Sequence, residues 1–140
     1  MLRQFAIMVF IVWPSVPVHL KSTDESPIKI VDKVFREYIK YSESTDSRDD
    51  KEAMQSALQA LQAKHDTKDL DILINVWMYY DPTDFPTGDL IMPIFETDPG
   101  ATLTAIEKRI KKKKKWENKE TAPYSDLIEL REKFRKYSTD

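Results

Sequence analysis

The stretch 70–95 reads LDILINVWMYY, breaks at DPTDFPTGD and resumes as LIMPIF, and nothing else behind residue 22 gathers so many large apolar side chains. A chain of 140 residues without cysteine must bury such a segment in a packed core, because it has no disulfides to stand in for one. Leu73, Val76, Trp77 and Tyr80 recur at i, i+3, i+4 and i+7, and Leu70 extends that face backwards, which predicts a helix over 70–80. Ile72, Ile74, Met78 and Tyr79 add apolar surface on the other sides, the pattern of a helix at the centre of a core. Each large side chain buried there contributes roughly 1.5–3 kcal/mol. Ile72, Ile74, Val76, Tyr79 and Tyr80 are also strand formers. The competing architecture is therefore α+β, with strands 72–80 and 90–95 paired across the loop and helices on one face. Asp81-Pro82 ends the element in either case, since proline disfavours helical geometry in the residue before it.

The flanking sequence is periodic at helical spacing. Ser26-Pro27 reads as a cap followed by proline at the first helical position, and Val31, Val34, Phe35, Tyr38 and Ile39 mark one face of a helix over 27–42. Ser47 with Asp50 resembles a capping box; Met54, Ala57, Leu58 and Leu61 then line a helix over 48–64, with Asp49, Asp50 and Glu52 at its dipole-favoured end. Thr67 is the expected cap of the central helix. Pro93 is expected to prevent a long regular helix after the 81–89 loop. Asp98-Pro99 opens a helix over 99–118 through Leu103, Ile106 and Ile110, with Glu107 paired to Lys111. Ala122-Pro123 opens the last one, to 137, through Leu127, Leu130, Phe134 and Tyr137. The short helix–loop–helix spacing is similar to that of helical-hairpin repeats of the HEAT kind, without a diagnostic repeat motif, and no family is implied.

The first residues have a different character. A single Arg3, the apolar block 5–13, then Pro14 and Pro17 follow the plan of a secretory signal peptide, whose apolar region spans roughly 7–15 residues. The block is shorter than the ~20 residues needed to cross a bilayer. Residues 1–22 are therefore read as an export signal with cleavage near Ser22, leaving a single helical domain over 23–140 in a secreted or periplasmic compartment. Export argues against nucleic acid as a partner.

The net charge of −2 conceals an asymmetry: residues 23–99 hold eight Lys/Arg against seventeen Asp/Glu, and residues 100–140 hold twelve against seven. The halves either complement each other internally or present two surfaces to different partners. Eight cations fall within the twelve residues 108–119. Continued as a helix, this run would lay Lys113 and Lys114 over the apolar face, where they snorkel. As a surface, Lys108, Arg109, Lys111, Lys112, Lys115 and Trp116 form a candidate polyanion or anionic-lipid site, the indole adding stacking or interfacial anchoring.

The leading candidate surface is the aromatic and acidic region 77–89, where Trp77, Tyr80, Asp81, Asp84 and Phe85 suit contact with a protein partner; the basic run is the alternative. Calcium is disfavoured there, because Thr83 and Phe85 stand where ligand oxygens are needed. A catalytic carboxylate pair such as Asp84 and Asp89 lacks anything to set its spacing. His65, the one histidine behind the signal, fits a structural role at a helix C-terminus. Two glycines make no phosphate-binding loop, and hydrolase or zinc motifs are absent. The sequence thus predicts an all-α bundle of about five antiparallel helices in hairpins, a binding or structural module with no enzymatic function and no cofactor.

Overall fold

The computed structural model describes residues 25–41, 48–81 and 86–139. The export signal at 1–22, the cap at Ser47, and Asp84 and Phe85 lie outside them. Within the described residues the fold is all-helical, with six helices and no strand: α1 Pro27–Tyr41, α2 Arg48–Ala63, α3 Leu70–Tyr79, α4 Thr87–Thr97, α5 Pro99–Lys111 and α6 Tyr124–Thr139. Both segments of the α+β alternative are helical, since 72–80 falls almost wholly in α3 and 90–95 in α4. The helix count exceeds the expected five because the stretch after the 81–89 loop forms a full helix.

Helix α3 is the hub. It buries Leu70, Leu73, Ile74, Val76 and Met78 and packs on α4, α5 and α6. Around it, α1 pairs with α2, α2 leans on α4, and α5 pairs with α6. Met54, Leu58, Leu61, Ile91, Ile94, Phe95, Ile106, Leu127 and Phe134 complete the core, each at most 1% exposed. Phe134 meets Phe95 edge-on, with ring centroids 6.2 Å apart.

Pro93 sits inside α4 without ending it. A proline there deprives the Asp89 carbonyl of its helical donor, but Asp89 is exposed and water can take the donor's place. Ile91, Ile94 and Phe95 are wholly buried on the opposite side, and that packing outweighs the lost bond. At the end of α4, Thr102 of α5 donates its hydroxyl to the Phe95 carbonyl (2.8 Å, buried), while Asp98 caps α5 as expected by accepting from the Ala101 amide (3.1 Å).

One local expectation is corrected and one is made more specific. The cap position of α3 is Asp69 rather than Thr67, with no side-chain capping bond, because Asp66 instead closes a tight turn on the Lys68 amide (3.0 Å). His65 has a structural role through its backbone: with φ of 52° it stands at the left-handed position that ends α2. There its amide bonds the Gln62 carbonyl and the Asp66 amide bonds Leu61 (3.1 and 3.0 Å), the Schellman pattern usually built on glycine.

Candidate functional site

Helix α3 carries three polar side chains on an otherwise apolar surface, Asp71, Asn75 and Tyr79, spaced four apart and therefore aligned along one edge. Opposite that edge run the last turn of α5 and the chain that follows it. Lys108 pairs with Asp71 (2.9 Å). The Arg109 Nε donates to the Asn75 amide oxygen (2.9 Å), and the Tyr79 hydroxyl donates to the Glu117 carboxylate. The third rung depends on a residue eight positions beyond Arg109.

That dependence explains where α5 stops. On a continuous helix Arg109 and Glu117 would stand about 12 Å apart along the axis. In the structure α5 ends at Lys111, not at the predicted 118, and the chain turns back so that Glu117 meets Arg109. Lysines repelling one another at i, i+4 weaken any continuation, whereas the turn satisfies two buried charges. Arg109 donates from Nη1 to Glu117 Oε1 (3.1 Å) and from Nη2 to Oε2; Nη1 also reaches the Lys112 carbonyl (3.4 Å). The Lys114 amide donates to Oε1 (2.7 Å). Glu117 thus accepts four hydrogen bonds, filling the capacity of a carboxylate, with its side chain only 1% exposed. A second clasp comes from Tyr124, whose hydroxyl donates to the Ile110 carbonyl (2.8 Å) and ties the start of α6 to the end of α5.

The electrostatics follow from this bonding. Burial pushes the Glu117 carboxyl upward, but Arg109, the Lys114 amide and Tyr79 together outweigh it and hold the group below the usual carboxylate value. The Tyr79 phenol is pushed up to about 12, first by burial and then by the adjacent carboxylate. Both shifts keep the cluster in one protonation state across the neutral range.

Outside the clasp the loop is cationic. Lys111, Lys112, Lys113, Lys114, Lys115 and Trp116 are all exposed, the indole at 75%. Lys113 and Lys114, expected over the apolar face, are exposed instead, because the helix that would have placed them there ends at Lys111. Arg109 is turned inward and committed to Glu117, so it departs from the predicted surface set. Lys108, Lys111, Lys112, Lys115 and Trp116 are exposed, and of these Lys108 and Lys112 line one cavity together. Glu107 pairs across the hairpin with Arg135 (3.4 Å) instead of along its helix with Lys111.

The aromatic and acidic region is arranged differently. Tyr80 is 3% exposed and lies edge-on against Tyr38 of α1, centroids 4.7 Å apart, so it belongs to the core. Trp77 is half-buried and Asp81 exposed; both border a shallow groove with Pro86 and Pro123. Among the described residues no group of three or more His, Asp or Glu side chains could hold a metal ion, and no helix is long and apolar enough to cross a membrane.

Sequence reasoning missed Asp71, Asn75, Tyr79 and Glu117. The signal for the first three was present: polar groups at i, i+4 and i+8 on a helix otherwise apolar mark an edge that must find polar partners. Glu117 carried a fainter one, the sole acid within the basic run. No family model matches the chain, and comparison with curated proteins and with solved structures finds no match.

Proposed function

We propose that this chain is an exported, non-enzymatic binding module that docks on anionic membrane surfaces through the basic loop 111–116. The observation that carries the reading is an exposed indole, at 75%, standing beside five exposed lysines on a short loop clamped from within by a buried ion pair. A lysine near an anionic headgroup layer contributes about 1 kcal/mol, and tryptophan favours headgroup depth. Five such lysines supply on the order of 5 kcal/mol, close to a millimolar affinity, so attachment is reversible and sensitive to salt. The export signal read at 1–22 supports a membrane surface outside the cytoplasm as the partner and argues against nucleic acid.

A protein partner at 77–89 is the second reading. It is favoured by the groove that Trp77 and Asp81 share with Pro86 and Pro123, and weakened by the burial of Tyr80.

Co-sedimentation with phosphatidylglycerol-containing vesicles, against phosphatidylcholine alone, tests the first reading. The protein is expected to pellet with the anionic vesicles and to be released by added salt, and Lys111, Lys113 and Lys115 changed together to Gln should abolish capture. Equal retention by both vesicle types, or capture indifferent to the lysine changes, contradicts the reading.

A further inference from the structure

We infer that the foot of the basic loop holds a subsite for one phosphomonoester group, formed by Lys108, Lys112 and Lys114 above a floor of Asn75 and Arg109. The inference rests on the docking reading and names the chemistry that the surface selects. A cavity of about 150 Å³ opens at this place, lined by Asp71, Asn75, Lys108, Arg109, Lys112 and Lys114. Cavities near that size take a single benzene-sized guest, which is room for one phosphate group and a water but not for a run of polymer.

The charges around the cavity differ in availability. Arg109 is neutralised from beneath by Glu117 and shapes the floor. Among the described residues, Lys112 and Lys114 have no carboxylate within ion-pair distance, so both ammonium groups are available to a ligand. Lys108 is held by Asp71 in a pair whose side chains are 54% and 59% exposed, loose enough to exchange one anion for another.

The selectivity comes from the net positive lining, which attracts a dianion more than a monoanion, and Asp71 opposes it. Its carboxylate repels any anion entering the cavity, and a ligand must compete with it for Lys108. A phosphomonoester carries about −1.5 to −2 at neutral pH and three terminal oxygens, one for each ammonium. A phosphodiester carries a single charge and is chained on both sides, which keeps it on the outer lysines. Lysine serves phosphate as a point charge, and the cavity gathers three such charges at one end of the loop.

The test compares vesicles containing phosphatidic acid with phosphatidylglycerol vesicles of matched surface charge. A parallel NMR titration with inorganic phosphate follows the Asn75 side-chain amide. The wild-type chain is expected to prefer the monoester vesicles about fivefold, the effect of roughly one additional favourable charge contact. Lys112→Gln with Lys114→Gln should erase that preference while leaving phosphatidylglycerol binding through Lys111, Lys113 and Lys115. Asp71→Asn should strengthen monoester binding, a gain that no folding defect can imitate.

Equal affinity for the two vesicle types overturns the subsite and leaves the docking reading standing. A preference that survives the double lysine change overturns its location. Failure to bind either vesicle overturns the docking reading; the titration then decides the subsite, since saturable movement of the Asn75 amide supports it with free phosphate as the source and no movement rejects it.

Discussion

Two segments, 77–89 and 108–119, differ most in composition, and the described residues of each are sorted against it. The aromatic and acidic segment has the side chains of a contact surface, yet Tyr80 is 3% exposed and packed on Tyr38. The basic segment has the composition of a solvated helix end, yet it sends Arg109 and Glu117 into the interior, 9% and 5% exposed. What separates the inward from the outward residues is the availability of partners. Arg109 and Glu117 satisfy each other and are further bonded by Asn75, Tyr79 and the loop backbone, so their desolvation is offset. The five lysines have no comparable set of acceptors and stay in water.

This contrast is open to attack at several strengths. The largest effects are expected where the inward residues are removed. Glu117→Gln should destabilise the fold by about 3–5 kcal/mol, the cost of stranding one partner of a buried pair, and Tyr80→Ala by about 3–5 kcal/mol as a large core truncation. Denaturant unfolding measures both, and a loss under about 1 kcal/mol in either would return that residue to the surface class. Tyr79→Phe, which deletes one of four bonds to the carboxylate, should cost about 1.5–3 kcal/mol.

The same cluster fixes the pH limits of stability. Because the folded carboxyl of Glu117 titrates below its ordinary value, its contribution is complete above that ordinary value and is lost as pH falls through the folded one. Tyr79 acts at the other end: raised to about 12, it contributes fully below about pH 10 and loses that contribution as the pH rises from there through its folded value. Melting temperature followed against pH should fall at both ends, and Tyr79→Phe should remove the alkaline component. An alkaline fall unchanged in that variant would assign it to another group.

Smaller effects are expected at the outward residues. Changing Lys111, Lys113 and Lys115 to Gln should alter stability by no more than about 0.5 kcal/mol, however much it alters binding. His65→Gly, at the left-handed end of α2, should stabilise by a few tenths of a kcal/mol to about 1, the relief of the left-handed cost less the added chain entropy. A loss of stability there would mean that the imidazole makes a contribution of its own.

Much of this architecture is legible in the sequence, and the failures have physical causes. Apolar periodicity marks α1, α2, α3 and α6 to within a residue or two at the ends the structure describes, and Asp98-Pro99 marks the start of α5. Periodicity does not show where α5 ends, because Ile110 and the lysines after it still fit a helix. The stop is set by Glu117, whose bond to Arg109 forms only if the chain turns. Helix α4 is underestimated for the complementary reason: a rule about Pro93 is local, while the burial of Ile91, Ile94 and Phe95 that overrides it is tertiary. Tyr80 is misassigned because an aromatic beside a loop reads equally well as a contact or as core until α1 is known to cover it. In the candidate site the exposed lysines and Trp116 are plain from composition, and the clamp beneath them depends on long-range pairing.

The central claim is that Arg109 and Glu117 are bonded in the interior and thereby fold the basic run into a loop. A double-mutant cycle of Arg109→Met and Glu117→Leu, read by denaturant unfolding, tests it most directly. Direct bonding predicts strong non-additivity, a coupling of about 2–3 kcal/mol. Additivity within about 0.5 kcal/mol, as expected for residues held two turns apart on a continuous helix, would contradict it.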